Sequence, residues 1–167
     1  RSSDLLSSGF ANGDFGLQGG YHGFSHHGER PDHTDALKKI ERNQIAQMAY
    51  LIDLLKGKED PINGGTLFDH TMILFGCGMA TGPHSTKNLP LLLAGGGFKH
   101  GEHKVYPGPH LKDLKSSDRL VSQEKRLAEG VSEVPASNLL LSILQNSGLE
   151  IDRFGSSTGT LTGLEWS

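Results

Sequence analysis

Thr71-Met72-Ile73-Leu74-Phe75-Gly76 and Leu89-Pro90-Leu91-Leu92-Leu93-Ala94-Gly95-Gly96-Gly97 decide the fold class of this chain. Both runs are short, apolar and closed by glycine, and neither alternates between apolar and polar residues. Non-alternation is the pattern of strands covered on both faces, as in a parallel sheet. Ahead of the first run, Leu37, Ile40, Ile45, Met48, Ile52 and Leu55 recur mostly at steps of three and four. With Lys38, Lys39, Glu41, Arg42 and Asp53 interleaved, they predict an amphipathic helix from about 33 to 56. Pro31 precedes its first turn, Asp32 or Thr34 can cap it, and Lys56-Gly57 ends it. Past the second run, Pro135 opens another helix with an apolar face of Leu139, Leu140, Ile143 and Leu144, and Gly148 is placed as its C-terminal cap. This order fits an α/β fold, part of a mainly parallel sheet flanked by helices.

The chain divides around these elements. Residues 1–20 read as an irregular lead-in, 21–98 as a motif-bearing core, 99–133 as a polar insertion, and 134–167 as a helix and tail. A short helix is expected near Ser122 to Glu129 within the insertion. Glycine supplies 23 of 167 residues, about twice the ~7% of average usage, and five of the 23 fall between Gly9 and Gly20. A domain seldom starts this way, so the expectation is the carboxyl-terminal portion of a larger domain. Sixteen basic against nineteen acidic residues give a net charge of −3, which offers no footprint for nucleic acid or an anionic membrane. No run approaches the ~18 apolar residues of a membrane span. One cysteine, Cys77, excludes an intrachain disulfide and Cys-rich zinc motifs.

Three places carry candidate chemistry. In Tyr21-His22-Gly23-Phe24-Ser25-His26-His27-Gly28, two histidines stand four apart, but Gly23 and the flanking glycines argue against a helix. A loop can aim two or three imidazoles at one transition metal; the plainer reading is a solvated loop that holds nothing. Gly76-Cys77-Gly78-Met79-Ala80-Thr81-Gly82-Pro83-His84 leaves the end of a strand, where open α/β sheets bind ligands. There Cys77 reads as a small buried residue ahead of a nucleophile, and His84 can fold back towards the earlier histidines. Gly95-Gly96-Gly97 lacks both GxGxxG and a Walker lysine, so it reads as a tight strand exit. His100 and His103 read as an exposed hairpin before a metal site, and Ser156 to Thr160 as a turn.

Taken in order, the pieces resemble the C-terminal half of an alkaline phosphatase or sulfatase superfamily domain. In that superfamily an Asp-x3-His-x-Gly motif feeds a metal pair; a long helix, a strand ending in Asp-His-Gly, a loop histidine and a (V/L)P-L-L-L-x-G strand follow. Here His22 to Gly28 takes the first slot, Thr71 to Phe75 the strand, His84 the loop histidine, and Leu89 to Gly95 the closing strand. The blocks SHHG, LFDHTMILFGCGM, NLPLLLAGGG and NLLLSILQNSGLEIDRFGSSTGTLTGL are similar to a bacterial, usually exported branch known as domains of unknown function. The resemblance spans roughly residues 20–100 and 134–164.

The departures shape what the resemblance implies. His22 stands where the first motif has aspartate, and Cys77-Gly78 falls where the strand exit has Asp-His. The superfamily's Ser or Thr nucleophile and its early aspartates are expected upstream of Arg1. What remains is a three-histidine metal site, His22, His26 and His84, with zinc the expected ion and an open position for water. The resemblance therefore implies an exported, metal-dependent hydrolase of small phosphate or sulfate esters. The alternative is a non-catalytic scaffold of the same fold, meeting a protein or cell-surface partner.

Overall fold

The computed structural model describes residues 15–80, 84–107 and 133–164. The expected helix near 122–129, His110 and most of the polar insertion lie outside these residues. Two helices open the described chain, α1 (Tyr21–Ser25) and α2 (Pro31–Lys56). Two strands follow, β1 (Ile73–Gly76) and β2 (Leu91–Ala94), then a last helix, α3 (Ala136–Asn146).

The glycine argument against a helix at residues 21–25 is overturned by α1. A five-residue helix has almost no stability alone, so tertiary packing must hold it. Phe24 supplies that packing: it is buried with Ala36 and Ile40 of α2, and Phe15, Leu17, Tyr21 and Leu37 close around the cluster. The Phe24 N–H donates to the Gly20 carbonyl at 3.1 Å, and the Ser25 hydroxyl to the His22 carbonyl at 2.8 Å. Gly23 faces open space, so its place in the turn costs entropy and no contact.

The 26 residues of α2 span about 39 Å. Pro31 sits inside the first turn with Arg30 as N-cap, and neither Asp32 nor Thr34 caps it. Asp32 instead pairs with Arg30, and the Thr34 hydroxyl donates to the Pro31 carbonyl. Only Ala36 and Ile40 of this helix are fully buried, while Ile45, Leu51 and Leu54 in its second half stay exposed. Asp60 then organises the turn after Gly57: its carboxylate accepts from the backbone N–H of Ile62 and Asn63 and from the Asn63 amide. The Asn63 amide first, then the two backbone N–H groups, hold the Asp60 carboxyl below the usual range.

Both strands form inside the apolar runs, shortened by two residues at the start. They pair with each other, but antiparallel, with Ile73 opposite Ala94 and Gly76 opposite Leu91. The parallel pairing read from non-alternation is therefore corrected for this pair. Parallel strands need a crossover that returns the chain to its starting end. The connection here turns back directly: the Ala80 N–H donates to the Ser85 carbonyl at 2.7 Å. The register sets Phe75 beside Leu92 on one face and Leu74 beside Leu93 on the other, so both faces are apolar. Leu74 and Leu92 remain 41% and 47% exposed, which leaves each face only partly covered.

Gly95, Gly96 and Gly97 all have positive φ. A Cβ on Gly95 would run into the Thr71 and Phe68 carbonyls, and one on Gly96 into the Met72 side chain. The triple glycine is a close backbone approach between the end of β2 and the chain entering β1, as expected of a tight strand exit. Asn146, at the end of α3, ties this knot by donating to the Gly96 carbonyl at 2.6 Å.

The face that α3 buries is Asn138, Leu139 and Leu141, one step round from the expected one, and Leu140 is 37% exposed. The tail causes the rotation by packing on the Asn138 side. Thr158 donates its N–H to Asn138 Oδ1 at 2.9 Å, and the Leu161 N–H reaches the Ser142 hydroxyl at 2.9 Å. Gly148 follows the helix in the left-handed region, with its N–H on the Gln145 carbonyl.

Candidate metal centre

His22 lies in α1 and His26 is its C-cap, so the four-residue spacing puts both rings on one side of the turn, 4.8 Å between centroids. His84 arrives from the β1–β2 connection. Its Nε2 stands 3.0 Å from His26 Nε2, a contact between residues 58 positions apart. The His26 and His84 rings are 4.7 Å apart and the His22 and His84 rings 6.4 Å, so the three form a chain with His26 in the middle. One nitrogen of the His26–His84 pair donates and the other accepts, so a single N–H lies between them.

His84 holds φ +65, a region few non-glycine residues enter. Such a conformation costs of order 1–3 kcal/mol and persists only where the surroundings impose it. The Ala80–Ser85 bond closes the loop on one side, and the Ser85 hydroxyl accepts from the Lys87 N–H at 3.2 Å on the other. His22 and His26 are exposed and His84 is half-buried, so the cluster opens to solvent.

The donor set is three imidazoles with no carboxylate, which suits zinc or a neighbouring late transition metal and not magnesium or calcium. Two imidazole nitrogens on one tetrahedral zinc stand roughly 3.3 Å apart, close to the 3.0 Å between His26 and His84. The residues fit in type and number, with His22 the ring that must swing. As the side chains stand, no group of three or more His, Cys, Asp or Glu among the described residues is placed to hold a metal ion.

The other candidates separate from this cluster. His27 Nδ1 accepts the Glu29 N–H at 2.9 Å, and His33 sets its ring edge against Phe24. His100 packs against Phe68 and accepts the Gly95 N–H at 2.8 Å, so it is a strand-exit clasp and only half-exposed; His103 is exposed. Cys77 is exposed, which corrects the reading of a buried residue, and its thiol donates to the Met79 carbonyl at 2.8 Å. Burial first, then the charges of Glu41 and Cys77, push the Tyr21 phenol above its ordinary range, so it stays a neutral donor. Two features escaped the sequence reading. Phe24 left a signal as an aromatic three residues after Tyr21 in a glycine-rich stretch; the Lys87–Glu133 ion pair left no local signal, because its partners are far apart in the chain.

No family model, no curated protein and no solved structure matches the chain.

Proposed function

We propose that His22, His26 and His84 hold a divalent metal, zinc by donor type, in an alkaline phosphatase-like protein that hydrolyses phosphate or sulfate esters. The observation that carries this reading is the 3.0 Å approach of His26 and His84 across 58 residues of chain. When bound, the metal supplies a Lewis acid that polarises an ester oxygen and favours charge on the leaving group. The chain's own residues orient the imidazoles: Phe24 seats the turn that bears His22 and His26, and the Ala80–Ser85 bond shapes the loop that bears His84.

A strand pair apolar on both faces suits a larger, mainly parallel sheet with an antiparallel member, covered by helices on each side. In this reading the protein is exported, as the resemblance implies. Full-length protein should purify with stoichiometric zinc and cleave aryl phosphate or sulfate esters, and His26→Ala should remove both. Neither metal nor hydrolysis in the full-length protein would end the enzymatic reading.

A specific observation favours a second reading, a scaffold without catalysis. Beyond β1 the chain runs into Cys77-Gly78, with no carboxylate or imidazole at the strand exit. A scaffold predicts that alanine at His22, His26 and His84 leaves partner binding or surface attachment unchanged. Dependence of attachment on any of the three would count against it.

A further inference from the structure

We propose that the largely covered Lys87–Glu133 ion pair positions His84 against His26. The inference rests on the reading of His22, His26 and His84 as one site, and adds residues that nothing in the ligand chemistry requires. Lys87 Nζ and Glu133 Oε2 are 3.5 Å apart, and their side chains are only 11% and 10% exposed. Lysine and glutamate leave water to this degree when they are paired, and removing one of them takes this link out of a poorly solvated place. The pair therefore holds two distant pieces of chain together.

Those pieces are the His84 loop and the entry to α3. Lys87 lies three residues after His84, a reach of about 10 Å at most, and the hydrogen bond between the Ser85 hydroxyl and the Lys87 N–H takes up part of that slack. On the other side, Glu133 precedes Val134, whose N–H donates to the Pro107 carbonyl at 2.9 Å, and α3 begins at Ala136. Glu133 thus stands beside a bonded backbone group and three residues ahead of α3. His26 has its own anchor, Phe24 in the α1–α2 core. Each half of the histidine contact is held by a different part of the fold, and Lys87–Glu133 is the anchor of the His84 half.

The test uses the metal-free protein first, so that it does not depend on metal binding. Wild-type protein should show a ring-to-ring nuclear Overhauser contact between His26 and His84. Glu133→Gln and Lys87→Met should each weaken it at least fivefold, while the His22–His26 contact within the α1 turn persists. The charge-swapped double variant, Lys87→Glu with Glu133→Lys, should recover at least half the wild-type intensity. A His26–His84 contact at full strength in either single variant would overturn the proposal, as would a folded double variant without recovery. If a single variant does not fold, the other single variant and the double variant decide. Zinc titration separates the two readings: about tenfold weaker binding by Lys87→Met supports the positioning role, and equal binding overturns it. A wild-type protein that takes up no zinc ends the metal reading, and the ring contact alone then judges the ion pair.

Discussion

Phe24→Ala removes the side chain on which α1 depends. Phe24 is 7% exposed and meets Ala36 and Ile40, which are 3% and 1% exposed. Burying roughly 150 Å² of phenyl surface at about 25 cal/mol per Å² contributes about 4 kcal/mol, within the ~3–5 kcal/mol measured for such truncations. The remaining bonds of α1, Phe24 N–H to Gly20 and Ser25 to His22, are local and cannot hold a five-residue helix. Among the described elements, α1 packs with α2 and β1 with β2, so the loss should stay on the helical side. Urea denaturation should show a loss of about 3–5 kcal/mol, or local opening of α1 ahead of the main transition. Native-state hydrogen exchange should show the Phe24 amide losing protection while the β1–β2 ladder amides keep theirs. The His26–His84 ring contact should disappear with α1. A cost below about 1 kcal/mol, or equal loss of protection in the ladder, would refute the reasoning.

Three further outcomes are expected. Gly95→Ala places a Cβ at φ +74 against the Thr71 carbonyl, and should cost more than about 1–2 kcal/mol in urea denaturation, the backbone penalty alone; a neutral result would contradict the close approach. Asn138→Ala strands the Thr158 N–H beside α3 and should cost about 1–3 kcal/mol by thermal unfolding, with freed motion in residues 154–161. Lys104 first, then Lys99, lower the Glu102 carboxyl to about 2. Its folded value lies below its unfolded one, so the clasp stabilises fully above the ordinary glutamate range and is lost as pH falls towards 2. Carbon NMR should find the Glu102 midpoint near 2, and a midpoint in the ordinary range near 4.5 would remove the clasp.

The long helices were legible because three-and-four spacing is a property of the segment itself. Leu37 and Ile40 mark α2, and Gly148 marks the end of α3 within a residue or two. α1 was not, since a one-turn helix with Gly23 in its middle exists only through Phe24's contact with Ile40, sixteen residues on. Strand direction was illegible for the same reason. The apolar runs report covering on both faces, and direction depends on the connection between the strands, in which the Ala80 N–H donates to the Ser85 carbonyl. The site divides likewise. The x3 spacing brought His22 and His26 together, and the strand-exit position of His84 pointed it towards them. The ion pair that braces His84 joins positions 87 and 133, a separation that leaves no local pattern.

Zinc titration of the metal-free protein, followed calorimetrically beside the His26→Ala and His84→Ala variants, is the most direct test. The account predicts one zinc per chain, lost in both variants while their helical content is kept. Uptake of no zinc by the wild-type protein, or equal uptake by both variants, would contradict it.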